Sequence, residues 1–185
     1  VPGGFGERGW RGKILTAKYC RENNIPYFGI CLGMQVMAVE FANHVAGLAD
    51  ANSTEIDPYT PHPIISLLSE QKDVQNIGGT MRLGAYSCKL KPHTLAAKAY
   101  GKEVVSERHR HRYEFNSKYS DVMEERGFQI SGTLDGGTLC EIAEIKGHPW
   151  MLGVQFHPEF KSKPTEPHPL FKAFVEAAIE RHAKT

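Results

Sequence analysis

Cys31 stands within Tyr27-Phe28-Gly29-Ile30-Cys31-Leu32-Gly33-Met34-Gln35. A β-prone apolar run leads into the thiol, glycines stand two residues to either side, and a helix pattern follows through Phe41. This spacing predicts a strand, a very tight turn and a helix with a nucleophile at the corner, the logic of a nucleophile elbow. The glycines matter because so sharp a turn strains the backbone and leaves little room for side chains. The helix N-terminus would aim its dipole and free N–H groups at the sulfur, lowering the thiol pKa and supplying oxyanion donors. A cysteine at a strand end is by itself more often a small buried hydrophobe, so the rest of the chain has to decide.

Thiolate catalysis needs a base, a group that orients the base, and an oxyanion hole. The strand-like run Gly153-Val154-Gln155-Phe156 ends in His157-Pro158-Glu159. His157 lies just past a strand end, and Glu159, with a stiffening proline between, can hold one imidazole nitrogen so that the other faces the sulfur. The oxyanion donors would be the N–H of Leu32 and a backbone N–H from Gly3-Gly4, where no side chain obstructs approach. His109 and His111 alternate like metal ligands on a strand, but no cysteine or carboxylate stands at ligand spacing, so no metal is expected.

These residues need a scaffold. Periodicity predicts helices over Lys13–Asn23, Gln35–Ala46, Thr94–Tyr100, Ser117–Arg126 (capped by Ser117, stopped by Gly127) and Leu170–Ala183. Strands are expected over 25–30, 64–68, 128–133, 139–145 and 151–156. The segment 78–90 reads as a glycine loop running into an alternating strand, 104–115 as one extended segment, and 50–63 as loop. Gly136-Gly137 and Gly147-His148-Pro149 read as hairpin turns. Strand–helix alternation comes first and antiparallel strands follow, which suggests an α/β core with an added β-rich layer.

The 185 residues fit one domain, and 41% hydrophobic with 23% charged residues is ordinary for a globular protein. A net charge of +1 argues against nucleic acid as a partner. No apolar run approaches the ~20 residues of a membrane helix, so neither a membrane span nor a leader is expected. The four cysteines, Cys20, Cys31, Cys88 and Cys140, are scattered, and they read as reduced thiols of a cytoplasmic protein. The opening Val1-Pro2-Gly3-Gly4 reads as the end of a strand and its loop, which suggests that earlier strands are missing from the chain.

In combination these elements resemble the class I (triad) glutamine amidotransferases. The general likeness lies in Pro2-Gly3-Gly4, in Gly29-Ile30-Cys31-Leu32-Gly33-Met34-Gln35 and in Gln155-Phe156-His157-Pro158-Glu159. A narrower likeness, to the C-terminal glutaminase domains of CTP synthases, lies in Gly3-Gly4-Phe5-Gly6, Ala51-Asn52-Ser53-Thr54-Glu55, Gly78-Gly79-Thr80-Met81-Arg82-Leu83-Gly84 and 107–114. The resemblance implies a mixed, mostly parallel central sheet flanked by helices, with an added antiparallel β layer and its first strands lacking. It implies that residues 1–185 form a glutaminase domain, incomplete at its start, whose synthetase (amidoligase) domain lies outside this chain.

The same resemblance implies roles. Cys31 would form a glutamyl thioester, His157 would act as base and then acid, and Glu159 would orient His157. Gly4 and Leu32 would bind the oxyanion. Gly4, Leu32, Gly33, Met34, Gln35, Glu55 and Arg112 would contact glutamine. An acid and an arginine are the expected complements of its ammonium and carboxylate. Ammonia would pass to the linked synthetase domain, where Mg2+ and ATP support amination of UTP to CTP; the glutaminase domain itself would need no cofactor. The loop Glu7-Arg8-Gly9-Trp10-Arg11-Gly12 matches a lid tied to activation by GTP, with Arg11 where glutamate is common and Trp10 free to stack on a base or cover the site. The full protein would be a homotetramer. Alternatives are a glutaminase subunit serving another acceptor, such as GMP synthesis, a γ-glutamyl hydrolase or peptidase, and a decayed amidotransferase that only binds.

Overall fold

The computed structural model describes residues 1–67 and 81–184. The expected glycine loop Gly78-Gly79-Thr80 and the final residue of the 64–68 strand lie outside the described residues.

Helix α1 (Trp10–Glu22) is followed by strand β1 (Tyr27–Ile30) and helix α2 (Leu32–His44). Leu32 to Ala42 of α2 are all buried. A helix apolar on every side must be covered on every side, and α2 packs against α1, against β1 and β9 of one sheet, and against β2, β3 and β6 of another. Strands β2 (Ala51–Ser53), β3 (His62–Leu67) and β6 (Tyr113–Phe115) form the smaller sheet in the order β2-β3-β6. The larger sheet runs β1-β9-β8-β7-β4-β5, with β4 over Arg82–Leu90, β5 over Val104–His111, β7 over Phe128–Leu134, β8 over Cys140–Ile145 and β9 over Met151–Val154. On its other face lie α3 (Leu95–Tyr100) and α5 (Pro169–His182), which seat Phe171 and Phe174 against Phe28 and Trp150. A short helix α4 (Ser120–Glu125) precedes β7.

The mixed α/β class with flanking helices and a second β layer is as expected, but the pairing is less parallel than expected. Among the described residues β1–β9 and β2–β3 are parallel, whereas β9–β8, β8–β7, β7–β4, β4–β5 and β3–β6 are antiparallel. Chain connectivity accounts for the β7–β8–β9 part of this. β7, β8 and β9 are joined by tight turns, and a tight turn between neighbours reverses direction. Val1 extends the parallel part: its amino group donates to the Phe28 carbonyl (2.7 Å) and its carbonyl accepts from the Ile30 N–H (2.9 Å), the pattern of a parallel ladder.

Other departures are local. The first helix begins at Trp10, not Lys13, so Trp10, Arg11 and Gly12 are helical and only Glu7-Arg8-Gly9 remain outside it. The expected loop 50–63 contains β2 and the start of β3. Ser117–Tyr119 is a 3₁₀ turn capped by the Asn116 side chain, which accepts from the Lys118 N–H, so Ser117 is not the cap. The single extended segment 104–115 divides. β5 alternates exposed and buried through His111, the chain switches sheets at the exposed Arg112, and β6 continues in the smaller sheet.

Candidate active site

Cys31 occupies the turn between β1 and α2 at φ 49° and ψ −103°. For a residue with a side chain this is strained backbone, costing on the order of 1–3 kcal/mol. The surroundings hold it there: the Cys31 N–H donates to the Val154 carbonyl (2.7 Å), and the Cys31 carbonyl accepts from Met34 and Gln35. The flanking glycines are required by contact. A Cβ on Gly29 would lie 2.6 Å from the Gly33 carbonyl, and one on Gly33 would lie 2.1 Å from the Val1 carbonyl oxygen.

The thiol is buried, with 2% of its surface exposed. The expectation of a lowered pKa at a helix N-terminus is overturned. Burial raises the Cys31 thiol to about 12; the hydrogen bond from the Leu32 N–H favours the thiolate but does not offset it, and the charges of Glu159, Glu114 and Glu55 push further upward. A resting thiol therefore needs a base beside it. His157 follows β9, and its N–H donates to the Arg108 carbonyl of β5 (2.8 Å). Its ring stacks on Phe160 and its Nδ1 lies 2.6 Å from Glu159 Oε1. An ionised carboxylate only accepts, so Nδ1 carries the hydrogen and Nε2 presents a lone pair. Nε2 is buried and has no hydrogen-bond partner among the described residues. Burial works against the Glu159 charge, but the bond from His157, the local backbone and the His157 charge outweigh it and hold its carboxyl below the usual range. A Cβ built on Gly3 would lie 2.9 Å from His157 Cε1 and 3.7 Å from Cys31 Cβ, so the imidazole and the cysteine flank the same small space.

That space opens into a cavity of about 380 Å³, the scale of a small-molecule site. Gly4, Cys31, Gln35, Glu55 and Arg112 line it together. The Gly6 N–H donates to Glu55 Oε1 (2.9 Å), and the indole N–H of Trp10 donates to Asn52 (3.0 Å), so the 3–10 segment is fastened to the 52–55 segment.

The class-I glutamine amidotransferase family model matches residues 1–177. The chain belongs to this family. This amidotransferase domain is 71% identical to the CTP synthase of Protochlamydia amoebophila over 182 residues, 98% of this chain, and 61% identical to that of Bacillus subtilis over 180 residues, 97% of this chain. The chain spans about a third (34%) of the length of these curated relatives. Among solved structures it is similar to the Trypanosoma brucei CTPS glutaminase domain with bound acivicin, at a TM-score of 0.93 and 39% identity over 97% of this chain and 70% of that one. A glutamine amidotransferase from Thermotoga maritima, 13% identical at a TM-score of 0.52 over 95% of this chain and 70% of that one, shares the fold.

The cavity draws in residues that the sequence did not single out and leaves others aside. Phe5, Met81, Arg110, His111 and Tyr113 also line the cavity. Leu32, Gly33 and Met34 stand behind it: Leu32 meets Gly4, Gly33 faces Val1, and Met34 packs under Gly153. Trp10 is buried and bonded to Asn52, which removes it as a surface for stacking a base, while Arg11 is exposed on the first turn of α1. His109 and His111 are spent on Glu141 and Glu114 (2.6 Å for the latter). Among the described residues no helix is long and apolar enough to cross a membrane.

Proposed function

We propose that this domain hydrolyses glutamine to glutamate and ammonia through a thioester on Cys31. The observation that carries the reading is the imidazole of His157. Among the described residues, one of its nitrogens is held by Glu159 and the other is buried and unpartnered, beside a cysteine in an elbow at a cavity that one acid, Glu55, and two arginines, Arg110 and Arg112, also line. His157 Nε2 takes the thiol proton and the thiolate attacks the side-chain amide carbon of glutamine. The oxyanion that forms is met by the N–H groups of Gly4 and Leu32. His157 returns the proton to the departing nitrogen, ammonia leaves and the thioester remains. Water then attacks that carbon while His157 takes its proton, and glutamate departs as the proton returns to sulfur. Glu55 and Arg112 would receive the α-ammonium and α-carboxylate, with Gly4 and Gln35 on the pocket wall and Leu32, Gly33 and Met34 backing it.

In the longer protein implied by the relatives' length, ammonia would reach a linked synthetase domain that aminates UTP to CTP with ATP and Mg2+. Activation by GTP and assembly as a homotetramer belong to the same reading and rest on the family likeness.

The test is a glutamine analogue carrying a diazoketone: its diazo carbon takes a proton, the thiolate then attacks that carbon, and dinitrogen leaves. Intact mass and peptide mapping should find one adduct on Cys31, blocked by excess glutamine and absent from Cys31→Ala. Labelling spread over several cysteines, or none at all, would overturn the reading.

A further inference from the structure

Gln155 is wholly buried within the strand-like run that ends at His157, a polar residue among Val154, Phe156 and Leu152. Three hydrogen bonds define its place. The Gln35 side-chain nitrogen donates to the Tyr113 carbonyl (2.9 Å), so that atom is the amide nitrogen and not the oxygen. The same nitrogen donates to Gln155 Oε1 (3.2 Å), which fixes the Gln155 amide in turn. Its Nε2 is thereby directed at Cys31 Sγ, 3.6 Å away. A buried amide N–H without an acceptor is costly, and the sulfur is the acceptor that this arrangement supplies. The chain of contacts starts beside Arg112, passes Gln35 on the cavity wall, and ends on the reacting atom.

We propose that Gln155 is a further catalytic residue: its amide donates to the Cys31 sulfur and holds the charge that forms there when His157 removes the proton, while Gln35 acts as the positioning residue that sets its direction. The inference rests on the reading of Cys31 as the nucleophile. Burial and three carboxylates, Glu159, Glu114 and Glu55, oppose that charge. Among the described residues, the other titratable and charged groups facing the site are His157 across from the sulfur and His111, Arg110, Arg112 and Tyr113 around the cavity. A hydrogen bond to a charged acceptor is one of the stronger kinds, and Gln155 offers one without adding a group that titrates.

The rate of Cys31 alkylation by the diazoketone analogue, followed against pH on the full chain, tests this. In Gln155→Met, which keeps the length but removes the donor, the profile should move to higher pH by about one unit, with about a tenfold loss of rate at fixed pH and a similar fall in kcat at little change in KM. Gln155→Glu should move it further in the same direction. In the unsubstituted chain, which needs no variant to fold, the side-chain amide resonances of Gln155 should shift with pH along the alkylation profile and stop doing so in Cys31→Ser. A labelled wild type whose profile is unmoved in both variants, or Gln155 resonances indifferent to Cys31, overturns this inference alone. An unlabelled wild type overturns the nucleophile reading and the inference with it.

Discussion

In the proposed reaction Cys31 has to become an anion where burial opposes it, so the work falls on the proton acceptor. Glu159 fixes which nitrogen of His157 is available: with Nδ1–H held by the carboxylate, only Nε2 can receive the proton. Glu159→Gln keeps the shape but removes the charge that favours imidazolium and permits the wrong tautomer. It should lower kcat by about 10²–10³-fold with KM for glutamine nearly unchanged, as general-base catalysis of this kind is lost; a steady-state glutaminase assay checks it, and a loss confined to KM would contradict it. The sign with pH follows from the carboxyl's lowered pKa. Glu159 is ionised above the ordinary glutamate value of 4.5 and is protonated only as the pH falls below it, so its titration does not limit activity near neutrality. The cysteine, the histidine and the glutamate were legible in the sequence because an elbow and a strand end leave few residue choices. Gln155 was not singled out, since its contact with Gln35 joins positions 120 residues apart. The one local signal was a polar residue inside an apolar run.

At the scale of elements, the elbow depends on how closely β1 approaches the first turn of α2. Gly29→Ala would push a methyl group into the backbone of Gly33 and Met34. The backbone there cannot yield as a side chain would, so the loss should be about 3 kcal/mol or more. Gly47→Ala, at φ +75° with open space around it, should cost only about 1 kcal/mol. Urea unfolding of both variants checks the contrast, and equal losses would show that the close approach is not what selects glycine. The long periodic helices and the hairpins of the second half were readable because their patterns are local. β2 was missed because Ala51-Asn52-Ser53 has loop composition and is strand only through its pairing with β3. Trp10-Arg11-Gly12 was missed because glycines on both sides disguise a helix start. The division of 104–115 was invisible because alternation continues up to the switch, and only the location of the smaller sheet decides where the chain leaves the larger one.

At the scale of the molecule, the two sheets are tied by buried charge. Arg82 of β4 bonds Glu114 of β6 and Glu141 of β8, both at 2.8 Å, while His111 and His109 take the same two carboxylates. Burial works against the Glu114 charge, but the His111 hydrogen bond and the charges of His111 and Arg82 hold its carboxyl below the usual range. A carboxyl lowered by folding adds stability that is complete above 4.5, its ordinary value, and drains away as the pH falls below that. Arg82→Met would strand two buried carboxylates and should cost about 3–5 kcal/mol near neutrality, with the deficit shrinking as the medium is acidified; denaturant unfolding across pH measures it, and a constant deficit would contradict it. The placement of α2 carries one more consequence. Cys31, the proposed nucleophile, caps a helix enclosed by α1 and both sheets, so releasing it from its turn means parting the centre of the protein. Amide hydrogens through the middle of α2, from Val36 to Phe41, should therefore exchange with solvent only through global opening, and heat or urea should extinguish thiol chemistry and cooperative structure in a single event.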